Sequence, residues 1–159
     1  MSYLDDNCLG MMIDLGEYSL TLFYNCNTIR LTLGNPFMSY DLAVWYPHEL
    51  LSDEEALLIY RNICKEDISQ LRPHPSIRAF YDELASLHPE IDDVPEDKSE
   101  EFDFSPWSVE HDYSDRHIIM SSVWSKADYV NKLVRELARK HELAVYNPQE
   151  YRIYYPGDP

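Results

Sequence analysis

The best candidates for chemistry in this sequence are two histidines and two aspartates within seven residues: His111, Asp112, Asp115 and His117. Imidazole and carboxylate groups are common ligands of zinc and other divalent ions. Their spacing matches neither a helical i, i+4 pair nor a named metal motif, and an acidic stretch gathers such residues by composition alone. A small metal-dependent hydrolase using the His111–His117 cluster is therefore kept only as an alternative.

Other catalytic patterns are missing from the sequence. No serine stands in a nucleophile elbow, and the four glycines form no phosphate-binding loop. Cys8, Cys26 and Cys64 are widely spaced and form no CxxC pair, so we expect small buried hydrophobic residues in a reducing compartment. The sequence predicts no catalytic residue, no cofactor site and no metal site.

The most unusual stretch runs from Glu90 to Asp115 and is called here the acidic segment. It holds eleven acids against one base, Lys98, which leaves −10 of the formal net charge of −16. Pro95 and Pro106 interrupt any regular period, so a long loop is predicted. Large apolar residues also occur in it, and a purely solvated loop would not need them. We expect the apolar residues to pin the segment to the body while the carboxylates face outward.

This composition favours a surface that binds a basic protein. Opposed charges raise the association rate, and aromatic anchors slow dissociation. An ordinary solubilising loop is an equally weighted alternative. The residues predicted to contact the partner are Asp97, Glu100, Glu101, Asp103, Phe104, Trp107, Glu110, Asp112 and Tyr113.

A strand over residues 40–46 is predicted to be the central element of the fold. Its large apolar residues recur at every second position, and Pro47 ends it. Residues 117–124 and 143–147 have the same short, β-branched and aromatic character, and residues 151–155 are expected to add an edge segment. These stretches predict one sheet.

Three helices are predicted between and after these strands. The first follows a capping box formed by Ser52 and Glu55, and the second has the clearest amphipathic spacing in the chain. The predicted helices cover residues 53–65, 76–88 and 126–141.

The resulting order, β-α-α-loop-β-α-β, predicts an α+β fold: a ferredoxin-like or related sandwich with the helices on one sheet face. The last strand–helix–strand unit is expected to be a right-handed crossover if its strands are parallel. The predicted core residues are Leu42, Val44, Ile59, Phe80, Leu84, Ile119, Val130, Leu133, Leu137 and Val145.

The first 37 residues have a different pattern from the rest. Residues 18–24 and 28–33 both alternate and are separated by a short polar loop, which predicts a β-hairpin. Met38 opens a complete domain pattern. We therefore expect residues 38–159 to form one α+β domain and residues 1–37 to be an N-terminal β-hairpin extension, which either extends the sheet or lies outside the native compact unit.

Composition limits the classes of function. The chain of 159 residues is 45% hydrophobic, which suits one globular domain with its own core. The net charge of −16 repels phosphate backbones and anionic lipids, so nucleic acids and membranes are not expected as partners. No apolar run of about 18 residues occurs, and no basic region precedes an apolar core at the N-terminus. A cytoplasmic protein is predicted.

Three short motifs carry a resemblance to known proteins: Met38-Ser39-Tyr40-Asp41-Leu42-Ala43-Val44-Trp45, Ser105-Pro106-Trp107 and Val145-Tyr146-Asn147-Pro148-Gln149. With them, residues 38–159 resemble a set of small stand-alone bacterial proteins associated with the immunity proteins of secreted toxin systems. The resemblance implies an antitoxin that neutralises a basic toxin and has no catalytic residues. A structural or regulatory domain that oligomerises through an edge strand is a further alternative.

Overall fold

The computed structural model describes residues 11–14, 19–25, 28–33, 39–98 and 102–158. Short 3-10 turns accompany the strands and helices. The strands and helices are β1 (Met11–Asp14), β2 (Ser19–Asn25), β3 (Thr28–Leu33), β4 (Ser39–Trp45), α1 (Asp53–Ile63), α2 (Pro75–Leu87), β5 (Asp112–Tyr113), β6 (His117–Val123), α3 (Ala127–Lys140), β7 (Ala144–Asn147) and β8 (Arg152–Tyr154).

The N-terminal strands form a three-stranded antiparallel sheet in the order β1-β2-β3. β2 and β3 form the predicted hairpin, in which Asn25 pairs with Thr28. The hairpin loop residues 26–27, Cys8 and the predicted domain start at Met38 lie outside the described residues. Cys64 is disulfide-bonded, so the expectation of a reduced thiol is wrong for this residue.

The second sheet has five strands in the order β5-β6-β4-β7-β8, and each neighbouring pair is antiparallel. β4 lies at its centre, as predicted. Because β6 and β7 are both antiparallel to β4, they are parallel to each other, with α3 connecting them. The predicted mixed α+β class and its three helices are confirmed. The two-residue strand β5 was not predicted, because a strand so short shows no period.

Local sequence explains where the helices begin. Ser52 and Glu55 form the predicted capping box at the start of α1. His74 caps α2 by accepting a hydrogen bond at Nδ1 from the Ser76 backbone N–H at 3.2 Å, and Pro75 occupies the first turn, where its missing donor is not needed.

Apolar side chains occupy both faces of the five-stranded sheet. On one face, Leu42 and Val44 pack with α2 and α3. On the other face, Ala43 and Trp45 pack with α1 and β8. The prediction that all helices cover one face is therefore wrong. Since the run from Leu42 to Trp45 contains no polar residue, both faces of β4 are apolar, and each face must be buried by another element.

Most of the predicted core is buried. Only Ile59 and Leu133 are partly buried, and both pack at the margin of the core. The predicted residues that the fold buries are Leu42, Val44, Phe80, Leu84, Ile119, Val130, Leu137 and Val145.

Candidate partner-binding surface

The two ends of the acidic segment are held together by a buried carboxylate. Glu90 accepts a hydrogen bond at Oε2 from the backbone N–H of His111 at 3.0 Å, and at Oε1 from the hydroxyl of Tyr81 at 2.9 Å. Burial, together with the hydrogen bond to Glu90, raises the pKa of Tyr81 to about 12, so this hydroxyl stays a donor. The contact closes the segment onto α2.

The Ser-Pro-Trp motif fixes the middle of the segment. Trp107 is only 1% exposed, lies in the core under α2 and α3, and donates its indole N–H to the carbonyl of His88 at 3.4 Å. It also forms an isolated antiparallel bridge with Ser122. The hydroxyl of Ser105 donates to the carbonyl of Pro89 at 2.9 Å. Trp107 is thus a core residue in this structure, and its predicted contact with a partner stays a prediction.

The other predicted contact residues differ in exposure. Phe104 is half-buried and lies under the ammonium of Lys98, 4.6 Å from its ring centroid. Tyr113 is half-buried and stacks on Tyr81, with ring centroids 4.4 Å apart. Asp112 is half-buried, whereas Asp97, Asp103 and Glu110 are exposed, and Glu100 and Glu101 lie outside the described residues.

A histidine at the base of the segment ties it to both helices. His88 is buried, and its Nδ1 lies 2.9 Å from the carbonyl of Phe104. A carbonyl can only accept, so Nδ1 carries the proton and donates. Nε2 lies 2.6 Å from the hydroxyl of Tyr129 in α3. An ion pair between Asp103 and Lys126 adds a second link to the start of α3.

The side chains of His111 and His117 lie on opposite sides of the five-stranded sheet. His117 pairs with Trp45, and successive strand residues point to opposite faces, so its side chain lies on the face covered by α1. His111 instead packs edge-to-face on Trp107, with ring centroids 4.5 Å apart, in the core under α2 and α3. The two imidazoles cannot ligate one ion in this arrangement. Within the described ranges, no group of three or more His, Cys, Asp or Glu side chains is placed to hold a metal.

A serine, a histidine and an aspartate do meet at the β5–β6 turn. The hydroxyl oxygen of Ser114 lies 2.8 Å from Nδ1 of His117, and Nε2 of His117 lies 3.4 Å from Asp112. However, this oxygen also accepts the backbone N–H groups of Arg116 and His117, at 3.1 Å and 3.2 Å. His117 is 3% exposed, so substrate cannot reach it. The group closes a hairpin turn and is not arranged as a nucleophile with its base.

The Asn-Pro-Gln motif has a structural role as well. Asn147 is fully buried and donates from its side-chain amide to the hydroxyl of Tyr40 at 2.7 Å. The side chain of Gln149 accepts from the N–H of Asp41 at 3.0 Å and donates to its carbonyl at 2.7 Å. Gln149 thereby extends the β4–β7 pairing with a side chain. The three motifs that carried the resemblance therefore hold the fold together.

Comparison with known proteins assigns the chain to no family. The chain matches no protein-family model, no curated protein and no solved structure. Of the helices that the structure describes, none has the length and apolar character needed to cross a bilayer.

Four exposed apolar residues that were not predicted as contact residues lie on α2, on α3 with the turn before it, and in the acidic segment. Trp124 and Tyr129 belong to the turn before α3 and its first turn, Leu87 ends α2, and Phe102 belongs to the segment. Leu87 and Tyr129 had a weak sequence signal. Each lies on a helix with a clear apolar stripe, but only the fold shows which residues that stripe leaves outside the core.

Proposed function

We propose that this protein is a protein-binding module whose acidic segment binds a basic partner, most specifically an immunity-type antitoxin that neutralises a basic toxin. The observation that carries the proposal is the construction of the segment. Its ends and its tryptophan are fixed in the body, while seven of its nine described acids are exposed. A solubilising loop needs charge alone, and the buried anchoring of this one supports a surface with a defined shape.

Charge complementarity is the physical basis of the proposed binding. A concentrated negative surface accelerates encounter with a cationic cleft and disfavours partners of the wrong charge. Fixing the segment beforehand reduces the conformational entropy that is lost on association. The cationic, substrate-facing cleft of a toxin is a suitable target for such a surface.

Charge reversal tests this proposal. Changing Asp97, Glu100 and Glu101 to Lys should slow association with the partner, and raising the salt concentration should slow association of the unchanged protein. The functional assay is co-expression with a candidate toxin encoded by a neighbouring gene, scored by cell survival. We expect the triple variant to lose protection.

The matched control reverses three exposed acids elsewhere in the chain, Glu49, Glu66 and Glu142. It changes the net charge by the same amount and should retain protection. Full protection by the triple variant of the acidic segment would contradict the proposal. Equal loss in both triple variants would show that total charge is what matters, and not this segment.

We also infer that the body of the molecule is a variant of the ferredoxin-like sandwich. The strand order β5-β6-β4-β7, the antiparallel neighbours and the crossover from β6 to β7 through α3 support this inference. α2 and α3 share one face, as that arrangement requires. α1 on the opposite face and β8 at the edge would then be additions to it.

A further inference from the structure

The outer face of α3 carries a stripe of alternating charge. Residues four positions apart are neighbours on one side of a helix, and the stripe consists of the exposed residues Asp128, Lys132, Glu136 and Lys140. The first three of them also line one open cavity of about 260 Å³. The side chains of Lys132 and Glu136 are 77% and 58% exposed, and their charged atoms lie 4.0 Å apart, which is a long and weak ion pair. Both charges are therefore presented to solvent.

The order of the charges makes the stripe complementary to itself. If two α3 helices pack antiparallel and cross at the level of Val134, Lys132 of each copy faces Glu136 of the other. At the same level, Asp128 of each copy faces Lys140 of the other. Every charge of the stripe then meets a charge of opposite sign, and each contact occurs twice about a two-fold axis.

The same register brings an exposed aromatic ring to a cation. Tyr129 is 49% exposed, and the contact between its hydroxyl and Nε2 of His88 holds it in place. It would face Arg139 of the second copy, which is also exposed. Arg139 uses Nη2 to bind the carbonyl of Asp158 within its own chain, and its other N–H groups and its charge can still meet a ring. The contact would add to the two kinds of ion pair.

Two other cations on this side of α3 are engaged within the chain. Lys140 donates to both carboxylate oxygens of Glu83, at 2.7 Å and 2.9 Å, so it contributes less to a second copy. The guanidinium of Arg135, which also lines the cavity, lies 4.0 Å from the ring centroid of Tyr154. The two central ion pairs would therefore supply most of the attraction.

The net charge of −16 opposes self-association, and an antiparallel arrangement limits this repulsion. The ion pair between Asp103 and Lys126 links the acidic segment to the start of α3. In an antiparallel pair, the start of one helix lies beside the end of the other, so the two acidic segments lie at opposite ends. The 14 residues of α3 span about 21 Å, which exceeds the screening length of about 8 Å at physiological salt.

We propose that α3 binds α3 of a second copy of this chain in an antiparallel pair. This inference goes beyond the proposed function and does not depend on it, because the acidic segment is not part of the contact. One helix face is smaller than a standard protein interface, so the dimer is weak and forms as the protein concentration rises.

Reversal of single charges tests the central pairs. Sedimentation velocity over a series of concentrations measures dimerisation of the full chain at about 0.15 M NaCl. We expect the unchanged protein to dimerise with rising concentration. Lys132→Glu and Glu136→Lys each place like charges opposite one another, so each variant alone should dimerise at least about 10-fold more weakly.

An equal mixture of these two variants is the decisive sample. One chain then carries acids at both central positions and the other carries bases at both, so the mixed pair regains both attractions. We expect the mixture to dimerise about as tightly as the unchanged protein, although neither variant does so alone. Restored association also shows that both variants are folded.

The matched controls are Arg78→Glu and Asp82→Lys, which make the same changes of charge in an exposed i, i+4 ion pair on α2. Each control should dimerise like the unchanged protein, and equal weakening in the controls would assign the effect to net charge and overturn the inference. A monomer at every concentration would also overturn it. If the single variants dimerise as well as the unchanged protein, another surface is in use. If the mixture stays monomeric, Lys132 and Glu136 do not face each other across the axis, and the pairing is wrong.

Discussion

His111 is the residue with the most unusual environment in the acidic segment. It is buried, its Nδ1 is enclosed without a hydrogen-bond partner, and burial lowers its pKa from 6.5 to about 4. Protonation of this imidazole would place a buried positive charge between the rings of Trp107 and Tyr81. At the scale of single residues, the base of the segment is therefore built for a neutral histidine.

This predicts a pH-dependent loss of stability. Between the folded pKa of about 4 and the unfolded value of 6.5, the unfolded chain binds more protons, so the free energy of unfolding falls as the pH falls through this window. The contribution of His111 should decrease by about 2 kcal/mol between pH 7.5 and pH 5. Urea denaturation at the two pH values measures it.

His111→Phe keeps an aromatic ring beside Trp107 and removes the titration, so its stability should change less between the two pH values. His48→Gln is the control, because it replaces an exposed histidine outside the core. An unchanged pH slope in His111→Phe would assign the loss to other groups, such as the carboxylates.

At the scale of elements, periodicity allowed the long helices and the main strands to be predicted within one or two residues of their observed ends. The predicted ranges 76–88 and 117–124 correspond to α2 at Pro75–Leu87 and β6 at His117–Val123. Caps and apolar spacing are local properties, so the sequence carries them directly. The position of α1 could not be predicted, because either face of an apolar strand can receive a helix.

Prediction of the candidate site from the sequence has the same limit, because it also depends on tertiary contacts. Trp107 among carboxylates has the composition of an interface anchor and equally that of a core anchor. Only its bridge to Ser122 and its bond to the His88 carbonyl decide between them, and both are long-range contacts. The exposure of seven of the nine described acids could be predicted from charge alone, whereas the burial of Glu90 could not. The exposure of Trp124 depends on where β6 ends and packs.

The contrast between two tryptophans is testable. Trp107→Ala should lower the free energy of unfolding by about 3–5 kcal/mol, because it empties a filled site in the core. Trp124→Ala, the matched control, should cost much less, since that side chain is 47% exposed. Thermal unfolding of both variants measures the difference. Equal effects would place Trp107 outside the cooperative core.

At the scale of the whole molecule, a carboxylate accepts a hydrogen bond from a backbone N–H near each edge of the five-stranded sheet. The Ile153 N–H of β8 donates to Asp53 at 2.8 Å, and the His111 N–H beside β5 donates to Glu90 at 3.0 Å. Donors that are already bonded within the chain do not recruit another strand. This arrangement disfavours the alternative of a domain that oligomerises through its edge strand.

The distribution of charge over the whole molecule gives the last prediction. Reversing Asp97, Glu100 and Glu101 relieves repulsion within the acidic segment, so this triple variant should melt roughly 1–3 °C higher than the unchanged protein at low salt. The difference should vanish at about 0.5 M NaCl, where screening removes the repulsion in both. Thermal unfolding monitored by circular dichroism at the two salt concentrations measures it.

The control variant at Glu49, Glu66 and Glu142 should gain less, because those acids lie outside the acidic segment. A lower melting temperature for the segment variant would mean that its acids stabilise the fold. A higher one, together with lost protection, would mean that the chain keeps a repulsive surface at a cost in stability, as proteins do at binding sites. A solubilising loop would show the gain in stability without any loss of protection.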